Sequence, residues 1–249
     1  MNRPVEIGIS APLYRDVKRL LTQSIAQGEW PPGTPLPSEP KLAERFSVSI
    51  GTLRKAIDEL VAERIVVRRQ GRGTFVARHG ESRPVFHFFH IVPSAGGRPF
   101  PETRTLNFRR SRADPGEAAK LALTAGDPVF RIRNVLSLAG QPVLVDDLVL
   151  PQRLFPDLTE KIFAGRDNTI YHLYQSRYGI NVVRTSERLR AALANADVAR
   201  LLDVPKSSPV LEIRRVALTY HDAPVELRRS LVNTERHEYF SDLGKDQSA

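Results

Sequence analysis

The stretch Pro37–Leu60, PSEPKLAERFSVSIGTLRKAIDEL, holds two short helical patterns separated by Ser47-Val48-Ser49. A single amphipathic helix needs no such break, so the question is what two helices this close together achieve. Ser38 can cap the first by accepting a hydrogen bond from an amide of the opening turn. Pro40 is tolerated in that turn, and Leu42, Ala43 and Phe46 supply an inward face. Ser49 repeats the capping role. In the helix it opens, Leu53, Ala56, Ile57, Leu60 and Val61 recur on one face, which leaves Ile50, Gly51, Thr52, Arg54, Lys55 and Asp58 outside.

Upstream, Leu13, Val17, Leu20, Leu21 and Ile25 predict an earlier helix from about Pro12 to Gln27, stopped by Gly28, Pro31, Pro32 and Gly33. Downstream, IVVRRQGRGTFVA reads as two short strands around a glycine-containing turn. A short helix, a tight turn and a capped longer helix place one helix across a DNA backbone and present the next to the major groove, with the hairpin as a wing. The capped start of the third helix offers amides and a positive dipole end to phosphate, and Ser49, Gly51, Thr52 and Arg54 lie there. Ser38 opens the helix before it. Gln70, Gly71 and Arg72 form the wing tip, where glycine lets the chain approach the backbone or minor groove. An exposed helix bearing Arg54 and Lys55 is by itself an ordinary solvated face. The complete succession of three helices and a hairpin is what points to DNA.

Composition agrees. The chain has 249 residues, 41% of them apolar, enough for a small and a medium domain. The absence of cysteine excludes disulfides, thiol nucleophiles and cysteine-based zinc sites, and fits a reducing cytoplasm. MNRPVEIGIS lacks the apolar core of a signal peptide, and no later run is apolar for long enough to span a bilayer, so the expectation is a soluble cytoplasmic protein. A net charge of +9 and a pI near 10.1 suggest a polyanionic partner. Residues 1–78 hold 13 Lys+Arg against 8 Asp+Glu, and the other 171 hold 24 against 20, so the charge is denser where the helices are.

The run from PLY at Pro12 through GRGTFV resembles the winged helix-turn-helix domain of GntR-family bacterial transcription regulators. The resemblance rests on PLY, the Gly-x-x-x-Pro-Gly-x-x-Leu-Pro-Ser-Glu run, TLRKA and GRGTFV. It implies operator recognition by a dimer through Ser49, Thr52, Arg54, Gln70 and Gly71. Pro40 stands where the family often has a DNA-contacting arginine, with Lys41 beside it as a substitute charge. Ile50-Gly51 replaces a commonly polar or basic pair.

ARHGESRP is polar and turn-prone, so residues 1–77 read as the DNA-binding domain, 78–84 as a linker and 85–249 as a second domain. That second domain contains an internal echo. DPGEAAKLALTAGDPVFRIRNVLSLAGQPVLVDD is matched by ADVARLLDVPKSSPVLEIRRVALTYHDAPVE: helix, turn, Pro-Val strand, hairpin, Pro-Val strand. Asp114 with Glu117 forms a capping box. Two such units, an extra strand at VFHFFHIV and a helix in DNTIYHLYQSRYGI imply an antiparallel sheet with helices against it, making the whole chain α+β. Strand parity puts Arg131 and Arg133 opposite Phe130, Ile132 and Leu136, and groups Glu226, Arg228 and Ser230 on one face, while Asp146 ends the equivalent strand of the first unit. Such carboxylates and guanidiniums either bind a small polar ligand or form cross-strand ion pairs on a solvated face.

From about Arg83 to Leu243 the chain resembles the UTRA effector-binding domain of the HutC-type branch of GntR regulators, through YHLYQSRYGINVVRTSERLRA, LLDVPKSSPVLEIRRV and PVELRRSLVN. The resemblance implies a chorismate-lyase-like fold and a small-molecule site between the two halves of the sheet, with carboxylates matching Asp146 and Glu226 at the ligand. His87, Arg131, Arg133 and Arg228 complete the expected site. Sugar-phosphate sensors of the family tend to place an arginine where this chain has Asn134, and His87-Phe88-Phe89-His90 stands near the expected phosphate loop. The expected ligand is therefore an organic acid, an amino-acid derivative or an aromatic compound.

Catalysis has little to stand on. The six histidines are scattered, His87 and His90 point to opposite faces of a strand, and no Gly-x-Ser-x-Gly elbow or phosphate-cradling glycine loop is present. No cofactor is implied. The expectation is a homodimeric regulator, a repressor of an inverted-repeat operator relieved by a small molecule. A lyase-like enzyme and a nonspecific architectural DNA binder are the alternatives.

Overall fold

The computed structural model describes residues 12–78, 88–166 and 169–241. The chain divides after Arg78 into two compact units. His87 and nearly all of the expected linker lie outside the described residues.

The first unit contains α1 (Leu13–Ala26), α2 (Glu39–Arg45) and α3 (Ile50–Ala62), followed by the antiparallel pair β1 (Val66–Arg69) and β2 (Gly73–Val76). Its core joins Val17, Leu21 and Ile25 of α1 to Leu53, Ala56, Ile57 and Leu60 of α3. The inward stripe of α1 is narrower than its sequence suggests, because Leu13 and Leu20 are exposed and Val17, Leu21 and Ile25 alone follow the i, i+4 line. Lys18 reaches from α1 to Glu59 and Glu63 of α3 at 2.9 and 2.5 Å. The break after α2 is a left-handed residue, Ser47, at φ 52°. Ser38 sits at the N-cap of α2 but makes no capping hydrogen bond with its side chain. Pro40 occupies N2 and carries no N–H, so one of the two amides an N-cap hydroxyl normally accepts from is missing.

The second unit is built on a six-stranded antiparallel sheet of order β4-β5-β6-β9-β8-β7. These are β4 (Glu102–Arg112), β5 (Pro128–Leu138), β6 (Gln141–Pro151), β7 (Arg184–Leu193), β8 (Pro209–Leu218) and β9 (Pro224–Val232). The order is a mirror: β4-β5-β6 and β7-β8-β9 each run from one edge to the centre, where β6 pairs with β9. The sequence echo is therefore an echo of structure. Asp114 caps α4 (Pro115–Leu121) through a full capping box, and Asn195 caps α7 (Ala196–Leu202) by accepting from the Val198 amide. Both helices end in a left-handed residue, Ala122 and Asp203. α4 and α7 cover one face of the sheet through Ala118 and Leu121 against Val129 and Val149, and through Val198 and Leu202 against Val145 and Leu231.

The opposite face packs against α5 (Glu160–Ala164) and α6 (Ile170–Tyr178), with Phe163, Tyr171 and Tyr174 over Phe130, Ile132 and Leu148. A second apolar cluster on this face joins Leu136, Leu144 and Ile213 to Ile91. Ile91 belongs to β3 (Ile91–Pro93), which pairs with β10 (His237–Tyr239) in a separate two-stranded sheet rather than extending the large one. No described helix is long and apolar enough to cross a membrane.

Candidate functional site

Two regions gather the residues selected from sequence. In the first unit, Ser49 Oγ accepts from the Thr52 amide at 3.1 Å and lies 2.9 Å from the Thr52 hydroxyl, which closes the first turn of α3. Both side chains stand at the positive end of the helix, and Gly51 beside them is exposed. Arg54 is on the outer face, its Nε donating to Glu39 of α2 at 2.6 Å, so α2 aims the guanidinium. Lys41 and Ser38 are exposed on α2. Gln70, Gly71 and Arg72 form the exposed turn between β1 and β2, with Gly71 at φ 68° and Gly73 at φ 102°. Those backbone angles suit glycine, and a wing this tight needs them. Arg68 at the base of the wing pairs with Asp58 of α3 at 2.7 Å, tying wing to helix.

In the second unit, cross-strand pairing places Asn134, Asp146, Ser230 and Ile213 side by side across the sheet. One step along lie Leu148, Arg228, Arg215 and Glu187. This polar layer sits between the two apolar clusters and is almost wholly buried. Glu226 accepts from the hydroxyls of Tyr171 at 3.2 Å and Tyr174 at 2.7 Å, and from Nε and Nη2 of Arg228, both at 2.9 Å. Arg228 also reaches Asp146 at 3.3 Å, and Ser230 donates to Asp146. Arg215 donates to Glu187 at 2.5 Å and to the Phe88 carbonyl at 2.6 Å, and Tyr239 donates to Glu187.

Burial sets the electrostatics. It raises the Asp146 carboxyl above its ordinary value, with Arg228 and Ser230 opposing. Burial and the Glu226 charge push the Tyr171 hydroxyl up to about 12 and hold that of Tyr174 well above its ordinary value, so both remain neutral donors. Burial disfavours the charge on Arg228, but Glu226, Tyr171 and Asp146 outweigh it and hold the guanidinium ionised.

Asp146, Glu226 and Arg228 thus come together as one cluster. Arg131 and Arg133 do not join it. Arg131 binds Glu117 of α4 at 2.5 and 2.7 Å, and Arg133 binds Asp147 at 2.7 and 2.9 Å and Asp197 of α7 at 2.7 Å. They occupy the face covered by α4 and α7, and grouping them with Asp146 is corrected by the register. Asp146 and Asp147 are neighbours on β6, one on each face, and Asp147 is the one opposite Arg133. Sequence reasoning left Tyr171, Tyr174 and Arg215 out of the site. The three-residue spacing of the tyrosines on α6 was the available signal, and it reads equally as core.

One member of the layer is unmatched. Asn134 is fully buried, and neither Nδ2 nor Oδ1 has a hydrogen-bond partner among the described residues. Thr105 on β4, its cross-strand partner, has a buried hydroxyl in the same condition.

Residues 13–76 match the family described as bacterial regulatory proteins, gntR family, and residues 97–238 match the UTRA domain. The chain is 31% identical over 218 residues to the HTH-type transcriptional repressor PhnF of Mycolicibacterium smegmatis, covering 87% of each protein. It is 30% identical over 208 residues to the histidine utilization repressor of Pseudomonas putida, covering 82% of each. Among solved structures, the ligand-binding domain of a GntR-family transcriptional regulator from Bordetella bronchiseptica superposes with a TM-score of 0.60 at 37% identity, over 62% of this chain and 96% of that one.

Proposed function

The chain belongs to the GntR family of bacterial regulatory proteins and carries a UTRA domain, and on this premise we propose that it is a homodimeric repressor released from its operator by a small-molecule effector. It is a DNA-binding transcription regulator. The observation that carries the DNA-binding reading is the start of α3, where the Ser49–Thr52 cap, the exposed Gly51 and the Glu39-held Arg54 stand together on one outward surface. In a dimer, two such helices enter major grooves one helical turn apart on an inverted repeat, with Ser38, Lys41 and the Gln70–Arg72 wing on phosphates.

The effector site is the buried layer around Asp146, Glu226 and Arg228. The effector is a small polar organic molecule that this layer can hydrogen-bond. The protein acts in the cytoplasm and binds this molecule without turning it over. For release to occur, the effector must bind the operator-free arrangement more tightly than the operator-bound one.

The test is selection of genomic fragments by the intact protein at near-physiological salt, followed by footprinting. A short inverted repeat is the expected product. Retention of DNA without sequence preference would reject the operator reading in favour of an architectural binder. Arg54→Ala should weaken operator binding by about 1–3 kcal/mol if Arg54 reads a base, and an unchanged affinity removes Arg54 from the interface.

A further inference from the structure

We propose that the effector site recognises a planar cyclic amide, a lactam or ureide ring, through the side-chain amide of Asn134, an assignment that rests on the regulator reading above. The reasoning follows where hydrogen-bonding capacity is left in the buried layer. Both oxygens of Glu226 are occupied by two tyrosines and a bidentate Arg228. Arg215 is committed to Glu187 and the Phe88 carbonyl, and Arg228 to Glu226 and Asp146. A phosphate or carboxylate is normally gripped by guanidinium donors, and these two guanidiniums are already taken.

Within the sheet itself the unmatched groups are neutral, the donor and acceptor of Asn134 and the hydroxyl of Thr105, while Arg166, beside Asp146 and Arg228, donates to the Phe163 carbonyl. Leaving such groups unpaired in a core costs their full desolvation, so a ligand that meets them gains in proportion. The two polar atoms of a side-chain amide lie in one plane, and an amide edge, O=C–N–H, satisfies both together, as asparagine does on a base edge. A hydroxyl satisfies one at a time. The side chains flanking Asn134 on the same face are apolar, Ile132 and Leu148 towards α6 and Leu136 and Leu144 towards β3, which suits the faces of a flat ring. Asp146, the cross-strand partner of Asn134 on β6, offers a carboxylate acceptor for a second ring N–H. The internal repeat supplies an independent argument. Arg215 occupies in β8 the place that Asn134 occupies in β5, and its neighbour Glu187 closes it with an ion pair. The same place in the first half has no such closure.

The experiment uses full-length protein with hydantoin as a ureide probe at tens of millimolar, and succinate and ribose as acid and polyol probes, each read by thermal unfolding. Hydantoin is expected to raise the Tm of the wild type by several degrees. Asn134→Leu, nearly isosteric and apolar, should unfold about 2–4 °C higher than wild type without any probe, because it removes unmatched polar atoms from the core. It should lose the hydantoin shift. A residue needed only for packing would give the opposite sign in the probe-free protein. Absence of a hydantoin shift, its survival in Asn134→Leu, or a shift confined to succinate or ribose would each overturn the assignment. Operator binding by the probe-free wild type is measured on the same samples, so a failure of the regulator reading shows separately as loss of specific DNA retention.

Discussion

The two halves of the large sheet share a backbone plan and differ in what they bury. In the β7–β8 half, Glu187 and Arg215 face each other 2.5 Å apart, with Tyr239 donating to Glu187 and Arg215 donating to the Phe88 carbonyl. In the β4–β5 half, Thr105 and Asn134 stand in the corresponding cross-strand position, unmatched among the described residues. Caps, left-handed helix ends and strand order are retained in both copies. The repeat thus keeps the features that specify the backbone while the buried polar pairs differ between the halves. A pair that satisfies itself becomes part of the structure, whereas one that does not is available to a ligand, because low dielectric strengthens whatever hydrogen bond the ligand supplies.

That contrast can be broken most severely in the closed half. Glu187→Leu leaves Arg215 as an uncompensated buried cation, and denaturant titration should show a loss of about 3–5 kcal/mol. The next test converts the open half into a copy of the closed one. Asn134→Arg alone should cost roughly 3 kcal/mol, because a longer charged chain is forced into a closed core where Asp146 already accepts from Arg228 and Ser230, and adding Thr105→Glu should recover about 0.5–3 kcal/mol of coupling in a double-mutant cycle. Additive losses would mean that the two halves do not share this geometry.

Acid offers a milder way to separate the halves. On the face covered by α4 and α7, Glu212 of β8 is enclosed by Arg190, Arg214 and Arg229. Burial opposes its charge, but Arg190 and Arg229 outweigh this and bring its carboxyl from 4.5 down to about 2. A carboxyl depressed in the folded state contributes fully above its ordinary value and loses that contribution as pH falls through the folded value. Hydrogen exchange should therefore loosen β7–β8 as pH falls from 4.5 towards 2, and Glu212→Gln should remove that pH dependence. The smallest effect belongs to Thr105→Val, which removes one unmatched hydroxyl from the open half. A gain of up to about 1 kcal/mol is expected in the same denaturant assay.

Much of the first unit was legible from sequence because its signals are local. The Ser49 cap, the break at Ser47-Val48-Ser49 and the glycines of the wing each act within a few residues. Ser38 was the exception, where Pro40 two residues on withholds an amide. In the second unit, the capping box at Asp114 and the repeat were equally visible. The membership of the buried cluster was legible only in part. Glu226 and Arg228 share a face by parity alone, yet parity within one strand says nothing about which face of the next strand it meets. Adjacent Asp146 and Asp147 point to opposite faces, and only the pairing with β5 assigns Arg133 to Asp147 and Asn134 to Asp146.

By itself the sequence determined the winged helices, the repeat and the sheet class, since caps, turns and hydrophobic period are properties of neighbouring residues. The tertiary structure decided which charges are satisfied. It brought Tyr171 and Tyr174 onto Glu226 and closed Arg215 with Glu187, while Asn134 has no hydrogen-bond partner among the described residues. These are contacts between residues far apart in the chain, set by strand register and by the helix that covers each face, and no local signal encodes them.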